Sequence, residues 1–288
     1  MISARFSLLL SICLVSALSS ARLDGVLLRK TLKSGIETYH LVSVVKQTIT
    51  MPDNGGDQAL DISRTATYTF KIGAVDQAGG IAPVELTTKT DQIDFKGALA
   101  ELLKSQSDND SDSKTMKGNI DELNRFVSAD ASKVDPMSVI NGSTNTSVAG
   151  LFIQFPEKPV NIGDTWDVTI PKGPITGKKD QKLTAKLVSL TKVADRDIYV
   201  LSLIGKVKTD IDVAELVKNS DEQVAGFLGQ LNMVITGDIE FDCQANVDKA
   251  TGQTLLMTMK TSTNQTMVTS DKKFKSKGTS SVTLALQP

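Results

Sequence analysis

Long stretches of strictly alternating apolar and polar residues constrain the fold of this chain more than any other feature. One face of the stretch 235–247 carries Ile235, Ile239, Phe241, Cys243, Ala245 and Val247. A second alternating stretch places Tyr199, Leu201, Leu203, Val207 and Ile211 together, and a third runs from Thr65 to Ile72. Because successive side chains of a β-strand point to opposite faces, this period predicts antiparallel strands with one wet face.

Two short segments change to a helical period. Apolar residues recur three and four positions apart in Phe95–Lys104 and in Asp221–Leu231, which indicates short amphipathic helices. From Gly118 to Ile140 the pattern fits a helix and a strand equally well. The predicted class is mainly β with a minor α part (α+β). Its antiparallel curved sheets form two similar halves, each with a short helix over one face.

An internal repeat relates the two halves. Lys117–Ile120 in the first half parallels Thr236–Ile239 in the second, and this match favours a strand at the start of the ambiguous region. We interpret the similarity as a duplication. The first β-rich half spans residues 22–154 and the second spans 155–288, and we expect the two to merge into one unit.

The first 21 residues have the composition of a secretory signal peptide. Arg5 precedes an apolar run that ends in small residues at Ala21. The run is shorter than the roughly 20 residues of a membrane-spanning helix, and no other apolar run approaches that length. No lipid anchor is expected, because Ile12 before Cys13 is too bulky for a lipidation site. The sequence therefore predicts a soluble exported chain, periplasmic or extracellular, without a transmembrane segment.

Charge and cysteine content exclude several classes of function. The formal net charge is −1, so the chain lacks the basic surface that neutralises nucleic-acid phosphates, and no nucleic-acid partner is expected. Cys243 is the only cysteine outside the signal peptide, which excludes an internal disulfide. Its place in an alternating strand predicts a buried, inert thiol.

Residues suited to catalysis or metal binding are scarce. His40 is the only histidine, so a zinc site would depend almost entirely on carboxylates, an uncommon ligand set. No nucleophile elbow, phosphate-binding loop or dinucleotide fingerprint occurs. The carboxylate pairs Asp210/Asp212 and Glu240/Asp242 lie on the polar faces of their strands. We therefore expect a protein that is not an enzyme, with no catalytic residues, no metal site and no cofactor.

A turn-rich stretch, Phe155–Trp166, separates the halves and holds the only tryptophan. It contains Pro156 and Pro159, which favour an extended path, the turn residues Gly163 and Asp164, and Trp166 at the start of the next strand. We interpret these five residues as a structural clamp at the entry to the second half. The alternative interpretation is a tryptophan that stacks on a ligand.

This stretch resembles the signature P-x-K-P-V-x-x-G-D-x-W of a bacterial family of exported proteins of unknown function. The N-terminal segment Leu27–Tyr39 and the turn Asp248–Gly252 also fit that family. The resemblance implies a β-rich exported domain and brings no established activity. At the level of fold, a curved sheet with a helix over it is also similar to half-barrels of the lipoprotein-carrier type, which hold acyl chains in an apolar groove.

Two functions compete on this basis. The first is an exported binding module that holds a lipid or another apolar ligand in a groove, for which the candidate lining is Tyr199, Leu201, Leu203, Ile239 and Phe241. The second is a structural or surface protein-interaction module, in which the same residues form an ordinary filled core. An enzyme ranks third.

Overall fold

The strands of this computed structural model form a single antiparallel sheet. The structure describes residues 25–52, 55–76, 80–98, 100–101, 113–128, 152–170, 172, 179–214, 233–269 and 272–288. Within these residues there are eleven strands: β1 (Gly35–Thr50), β2 (Asp57–Ile72), β3 (Ile81–Gly97), β4 (Lys114–Asp121), β5 (Phe126–Ser128), β6 (Thr165–Ile170), β7 (Gln181–Val193), β8 (Arg196–Asp212), β9 (Val234–Asp248), β10 (Thr254–Val268) and β11 (Lys273–Leu286). Their order across the sheet is β5-β4-β3-β2-β1-β11-β10-β9-β8-β7-β6.

The first and last strands of the chain meet at the centre of the sheet. β1 pairs with β11 over a continuous register that runs from Tyr39 opposite Leu286 to Thr50 opposite Lys275. Every other pair joins strands that are neighbours in sequence, so the two predicted halves are the two flanks of one sheet. The pairing of β1 with β11 therefore closes the chain on itself and makes the sheet continuous.

The predicted class, curved sheets in two halves with a short helix over each, is wrong. One sheet runs through both halves, and no helix is among the elements of the described residues. Phe95, which the helical period placed in a helix, continues the alternation of β3 and lies opposite Ile62 of β2. Ladder pairing with β2 therefore overrides the local helical period. Helical backbone occurs only at residues 100–101 and 213–214, and the second predicted helix, 221–231, lies outside the described residues.

Where the structure describes the ambiguous region, it consists of strand residues on either side of a turn at 122–125. Lys117–Ile120 lies within β4, and its proposed counterpart Thr236–Ile239 lies within β9. Phe126–Ser128 forms the short edge strand β5, whereas residues 129–151 lie outside the described part. The duplication itself stays a prediction.

One face of the sheet, here called the inner face, carries most of the buried apolar side chains. It contains Tyr39 and Leu41 of β1, and the same parity continues through the neighbouring strands. Two connecting segments lie against one end of this face. Val26 and Val160 join them through two backbone hydrogen bonds of 2.7 and 2.9 Å, and Phe155 N donates to Leu123 O at 2.9 Å. These segments add Leu28, Phe152, Ile153 and Phe155 to the core.

Candidate functional site

The five predicted groove residues share the inner face of β8 and β9 but are spread along it, with Tyr199 opposite Val247 at one end. Phe241 is the register partner of Gly205, two residues from Leu203, and Ile239 pairs with Val207. Tyr199, Leu201, Leu203 and Ile239 are buried, and Phe241 is half-buried. Three of them belong to the larger apolar cluster, and Phe241 packs against it. Four of the five side chains are thus buried, and the groove itself stays a prediction.

Two clusters of buried apolar residues lie next to each other on the inner face of β1, β2 and β3. The larger cluster spans most strands, and the smaller one consists of Val45, Leu60, Ile62, Phe95 and Ala100. On β2 the clusters are separated by Arg64, which lies between Ile62 and Ala66. On β1 the residue between them is Ser43.

The strip between the clusters widens on β3. Its residues, which we call the inner band, are Ser43, Arg64, Thr88, Thr90 and Ile93, and all five are half-buried. Register places Ser43 and Ile93 on either side of Arg64. The inner band is therefore a partly accessible path across β1, β2 and β3, with apolar walls on both sides.

Arg64 is the only charged residue of the inner band. Its Nη2 donates a 2.8 Å hydrogen bond to the Thr90 hydroxyl. Its Nε is buried and has no hydrogen-bond partner, and no ion pair of Arg64 occurs within the described residues. A β-bulge next to Arg64 shifts the register between β2 and β3, so that Thr65 faces Gln92 while Ala66 faces Thr90. Bulges re-aim side chains and recur beside functional sites.

If the alternating pattern is extended toward the N-terminus from Thr65, it places Arg64 on the apolar face of the strand. Leu60, Ile62 and Ala66 share its parity, so the sequence places an arginine on an apolar face. This signal was missed because the alternation was followed only from Thr65 onward.

A second polar region crosses the central strands of the inner face beyond Val45. The Gln47 amide donates a 2.7 Å hydrogen bond to the Ser276 hydroxyl, and the hydroxyls of Thr261 and Ser280 lie 2.7 Å apart. All four residues are buried. Oε1 of Gln47 has no hydrogen-bond partner, and neither has Oγ1 of the buried Thr209 on β8.

The opposite face of the sheet has a groove over β1, β11, β10 and β9. Its volume is about 480 Å³. Val44, Lys46 and Lys260 line it, together with the exposed carboxylates Glu240 and Asp242. Neither Lys46 nor Lys260 has an ion pair within the described residues. The groove therefore combines charges of both signs with an apolar contact at Val44.

The residues considered for catalysis lie apart from the inner band. The carboxylates of Asp210, Asp212, Glu240 and Asp242 are on exposed side chains, on the polar parity of β8 and β9. His40 is half-buried on β1, opposite Ala285. In the described part of the chain, no three His, Cys, Asp or Glu residues form a group that could hold a metal ion.

Cys243 is buried, as predicted, with 2% of its surface exposed. Burial raises the pKa of its thiol to about 12, and the neighbouring Asp242 carboxylate adds to this increase. A thiol with such a pKa carries almost no thiolate near neutral pH and is a poor nucleophile.

The Phe155–Trp166 stretch is a hydrogen-bonded turn that ends at the edge strand β6. The backbone N–H of Asn161 donates to the Asp164 carboxylate at 2.8 Å. The backbone N–H of Gly163, a residue with a φ of +98°, donates to Leu187 O at 2.7 Å. Trp166 is half-buried, and its indole donates to Gln154 O at 2.8 Å. These contacts tie the turn to β7 and to the core.

The first of the two prolines, Pro156, lies beside an arginine that holds the segment in place. The Arg29 guanidinium donates to the carbonyl oxygens of Pro156 at 2.8 Å and Glu157 at 2.9 Å. Pro156 is buried, whereas Pro159 is exposed. These contacts attach the stretch to the N-terminal segment, and its role as a clamp stays a prediction.

Comparisons with known proteins give little further constraint. No protein-family model matches the chain, and no curated protein matches it, so the family resemblance of the Phe155–Trp166 stretch stays a prediction. Among solved structures, Pseudomonas aeruginosa OccK7 (OpdD) is 7% identical, with 88% of this chain and 99% of that chain covered and a TM-score of 0.24. A DUF1329 family protein from Desulfovibrio piger is 9% identical, with 87% and 83% covered and a TM-score of 0.18. Similarity at these TM-scores supports no conclusion about fold or function.

What the described residues define is an all-β protein with one eleven-stranded antiparallel sheet. In the described part of the chain, no helix has the length and apolar composition needed to cross a membrane.

Proposed function

We propose that this chain is an exported, non-enzymatic binding protein that holds a lipid or another apolar ligand along the inner band. The observation that supports the proposal is the half-buried strip that separates two apolar clusters on β1, β2 and β3. An ordinary filled core would run through Ser43 and Arg64 with apolar side chains. A strip in which Ser43, Thr88, Thr90 and Arg64 lie between apolar walls suits an elongated ligand with an apolar body and a few polar contacts.

The predicted groove residues on β8 and β9 take a different part in this proposal. Tyr199, Leu201 and Leu203 build the larger cluster, which forms one wall of the inner band. The smaller cluster, with Ile62 and Phe95, forms the other wall. The binding path therefore lies on β1, β2 and β3, away from β8 and β9.

Two adjacent residues of β3 allow a matched test. Thr88→Phe fills the inner band, whereas Lys89→Phe places the same side chain on the exposed face. We expect native mass spectrometry of the purified protein to show co-purifying lipid. Titration with a fluorescent fatty acid should then give an affinity that Thr88→Phe lowers at least tenfold and Lys89→Phe changes less than twofold. A lipid-free mass together with no saturable binding of fatty acid or phospholipid would overturn the proposal.

The groove on the opposite face favours a second candidate function, a surface module that binds another protein. Lys46 and Lys260 lie in this groove without ion pairs in the described residues, beside the exposed Glu240 and Asp242, so a partner segment with charges of both signs is complementary to it. A stoichiometric polypeptide partner in native mass spectra, lost in Lys46→Glu/Lys260→Glu and retained in Thr88→Phe, would favour this candidate.

A further inference from the structure

We infer that the ligand of the inner band is a singly charged anionic amphiphile whose carboxylate or phosphodiester pairs with Arg64. This inference rests on the proposed function, and it narrows the ligand from any apolar molecule to one with an acidic end. The observation that supports this inference is the position of the Arg64 guanidinium group between two apolar clusters.

The surroundings of Arg64 leave its charge uncompensated. The other members of the inner band are Ser43, Thr88, Thr90 and Ile93, and none of them is charged. The Thr90 hydroxyl is the one described acceptor of an Arg64 hydrogen bond, and the buried Nε has no partner. Withdrawing part of a cation from water without an acidic partner costs free energy, and an anionic ligand that pairs with the guanidinium group would offset this cost.

The geometry of the guanidinium group matches an oxyanion. Nε and the Nη atoms form a planar fork that binds the two oxygens of a carboxylate or phosphate, and these charge-assisted hydrogen bonds are the strong ones in proteins. A ligand oxygen near Nε would satisfy the unpaired donor. Because the band holds one cation, it fits one negative charge.

The apolar walls match the rest of such a ligand. On β2, Arg64 lies between Ile62 of the smaller cluster and Ala66 of the larger one. An anion on Arg64 therefore leaves its attached chain beside apolar side chains, towards the wider part of the band at Thr88 and Thr90. The bulge next to Arg64 fixes the arginine and Thr90 on the same face.

The test compares palmitate, hexadecanol and phosphatidylglycerol as competitors of a fluorescent fatty acid. Palmitate and hexadecanol share chain length and differ in charge, and phosphatidylglycerol distinguishes a phosphodiester from a carboxylate. We expect wild-type protein to bind at least one of the two anions ten or more times more tightly than hexadecanol. Arg64→Gln should bring that ratio close to one through weaker binding of the anion, and Arg64→Lys should retain part of the ratio. Arg196→Gln, at an exposed arginine of β8, is the control and should leave the ratio unchanged.

The outcomes separate this inference from the function on which it rests. Wild-type protein that binds hexadecanol as tightly as both anions would overturn the inference and leave the binding proposal standing, and this result requires no variant. Binding of none of the three competitors would overturn the binding proposal itself. A full preference for the anion in a folded Arg64→Gln variant, checked by circular dichroism, would also overturn the role of Arg64.

Discussion

The ammonium nitrogen of Lys30 lies 2.8 Å from Oε2 of Glu37, and their side chains are only 3% and 16% exposed. The Tyr39 hydroxyl donates a second hydrogen bond, of 3.2 Å, to the same Glu37 oxygen. The Phe152 ring completes this cluster, with its centroid 5.8 Å from Nζ of Lys30. The pair fixes the N-terminal segment against the start of β1.

Removal of Glu37 should therefore destabilise the protein strongly. Glu37→Gln leaves the Lys30 charge buried without a counter-charge, and we expect a loss of about 3 kcal/mol in the free energy of unfolding. Equilibrium denaturation with urea measures this loss. Asp167→Asn breaks the exposed Lys182–Asp167 ion pair and serves as the control, with a change too small to measure reliably. Equal losses in the two variants would show that Lys30 keeps access to water.

Tyr39 should make the stability of the fold depend on alkaline pH. Burial, and next the charge of Glu37, raise the pKa of the Tyr39 hydroxyl above its ordinary value. A tyrosine in the unfolded chain ionises at about pH 10. The contribution of Tyr39 to the free energy of unfolding is therefore complete below that pH and is lost as the pH rises above it. Denaturation between about pH 8 and 11 should show a shallower decline in Tyr39→Phe than in wild type. An unchanged decline would place the titrating group elsewhere.

Two glycines with the same φ of +67° allow a test of close backbone contact. A Cβ at Gly252 would collide with the carbonyl oxygen of Arg29, whereas a Cβ at Gly56 would have no neighbour within 4 Å. Alanine at either position carries a strain of about 1 kcal/mol, because both adopt the left-handed conformation. Only Gly252→Ala must also push away the N-terminal segment and disturb the 2.7 Å hydrogen bond from Thr31 N to Thr251 O.

We expect Gly252→Ala to lose roughly 2 kcal/mol more than Gly56→Ala, the size typical of a substitution that forces the backbone apart. Thermal and urea denaturation of both variants measure the difference. Equal stabilities of the two variants would mean that the N-terminal segment moves away from residue 252 without a loss in the free energy of unfolding.

The thiol of Cys243 should react with alkylating reagents only after unfolding. Burial raises its pKa to about 12, so near pH 8 the folded protein holds far less thiolate than an unfolded chain. Iodoacetamide should therefore modify the native protein at least about a hundredfold more slowly than the protein in urea. Native and denatured rates within a factor of ten of each other would show that this part of β9 opens often.

The alternation of side chains predicted which residues of a strand lie inside, but not which strands are neighbours. Cys243 and Ala245 are buried on β9, as their parity requires. The pairing of β1 with β11 joins residues more than two hundred positions apart, and no local pattern encodes it. The helical period around Phe95 gave a wrong prediction for the same reason, because pairing with Ile62 of β2 determines the conformation of Phe95.

The candidate site was predictable only in part. The candidate groove residues share parity on the adjacent strands β8 and β9, whereas a groove along them stays a prediction. The inner band was missed, since its boundary becomes visible only when Ser43, Arg64 and Thr90 are brought side by side by register and a bulge. Lys30 lies in a segment where apolar and polar residues do not alternate, so the sequence pattern did not predict that its side chain is buried.

The buried pair of Gln47 and Ser276 should show a non-additive response to substitution. Ser276→Ala removes the acceptor of the 2.7 Å hydrogen bond and leaves Gln47, whose Oε1 already lacks a partner, with no hydrogen bond from its side chain. We expect a loss of about 1–3 kcal/mol from such a buried, unsatisfied amide. Gln47→Leu/Ser276→Ala replaces both polar groups by apolar ones and should be more stable than Ser276→Ala alone. Urea denaturation of wild type, both single variants and the double variant completes the cycle. A double variant that loses the sum of the two single losses would show that the two side chains act independently.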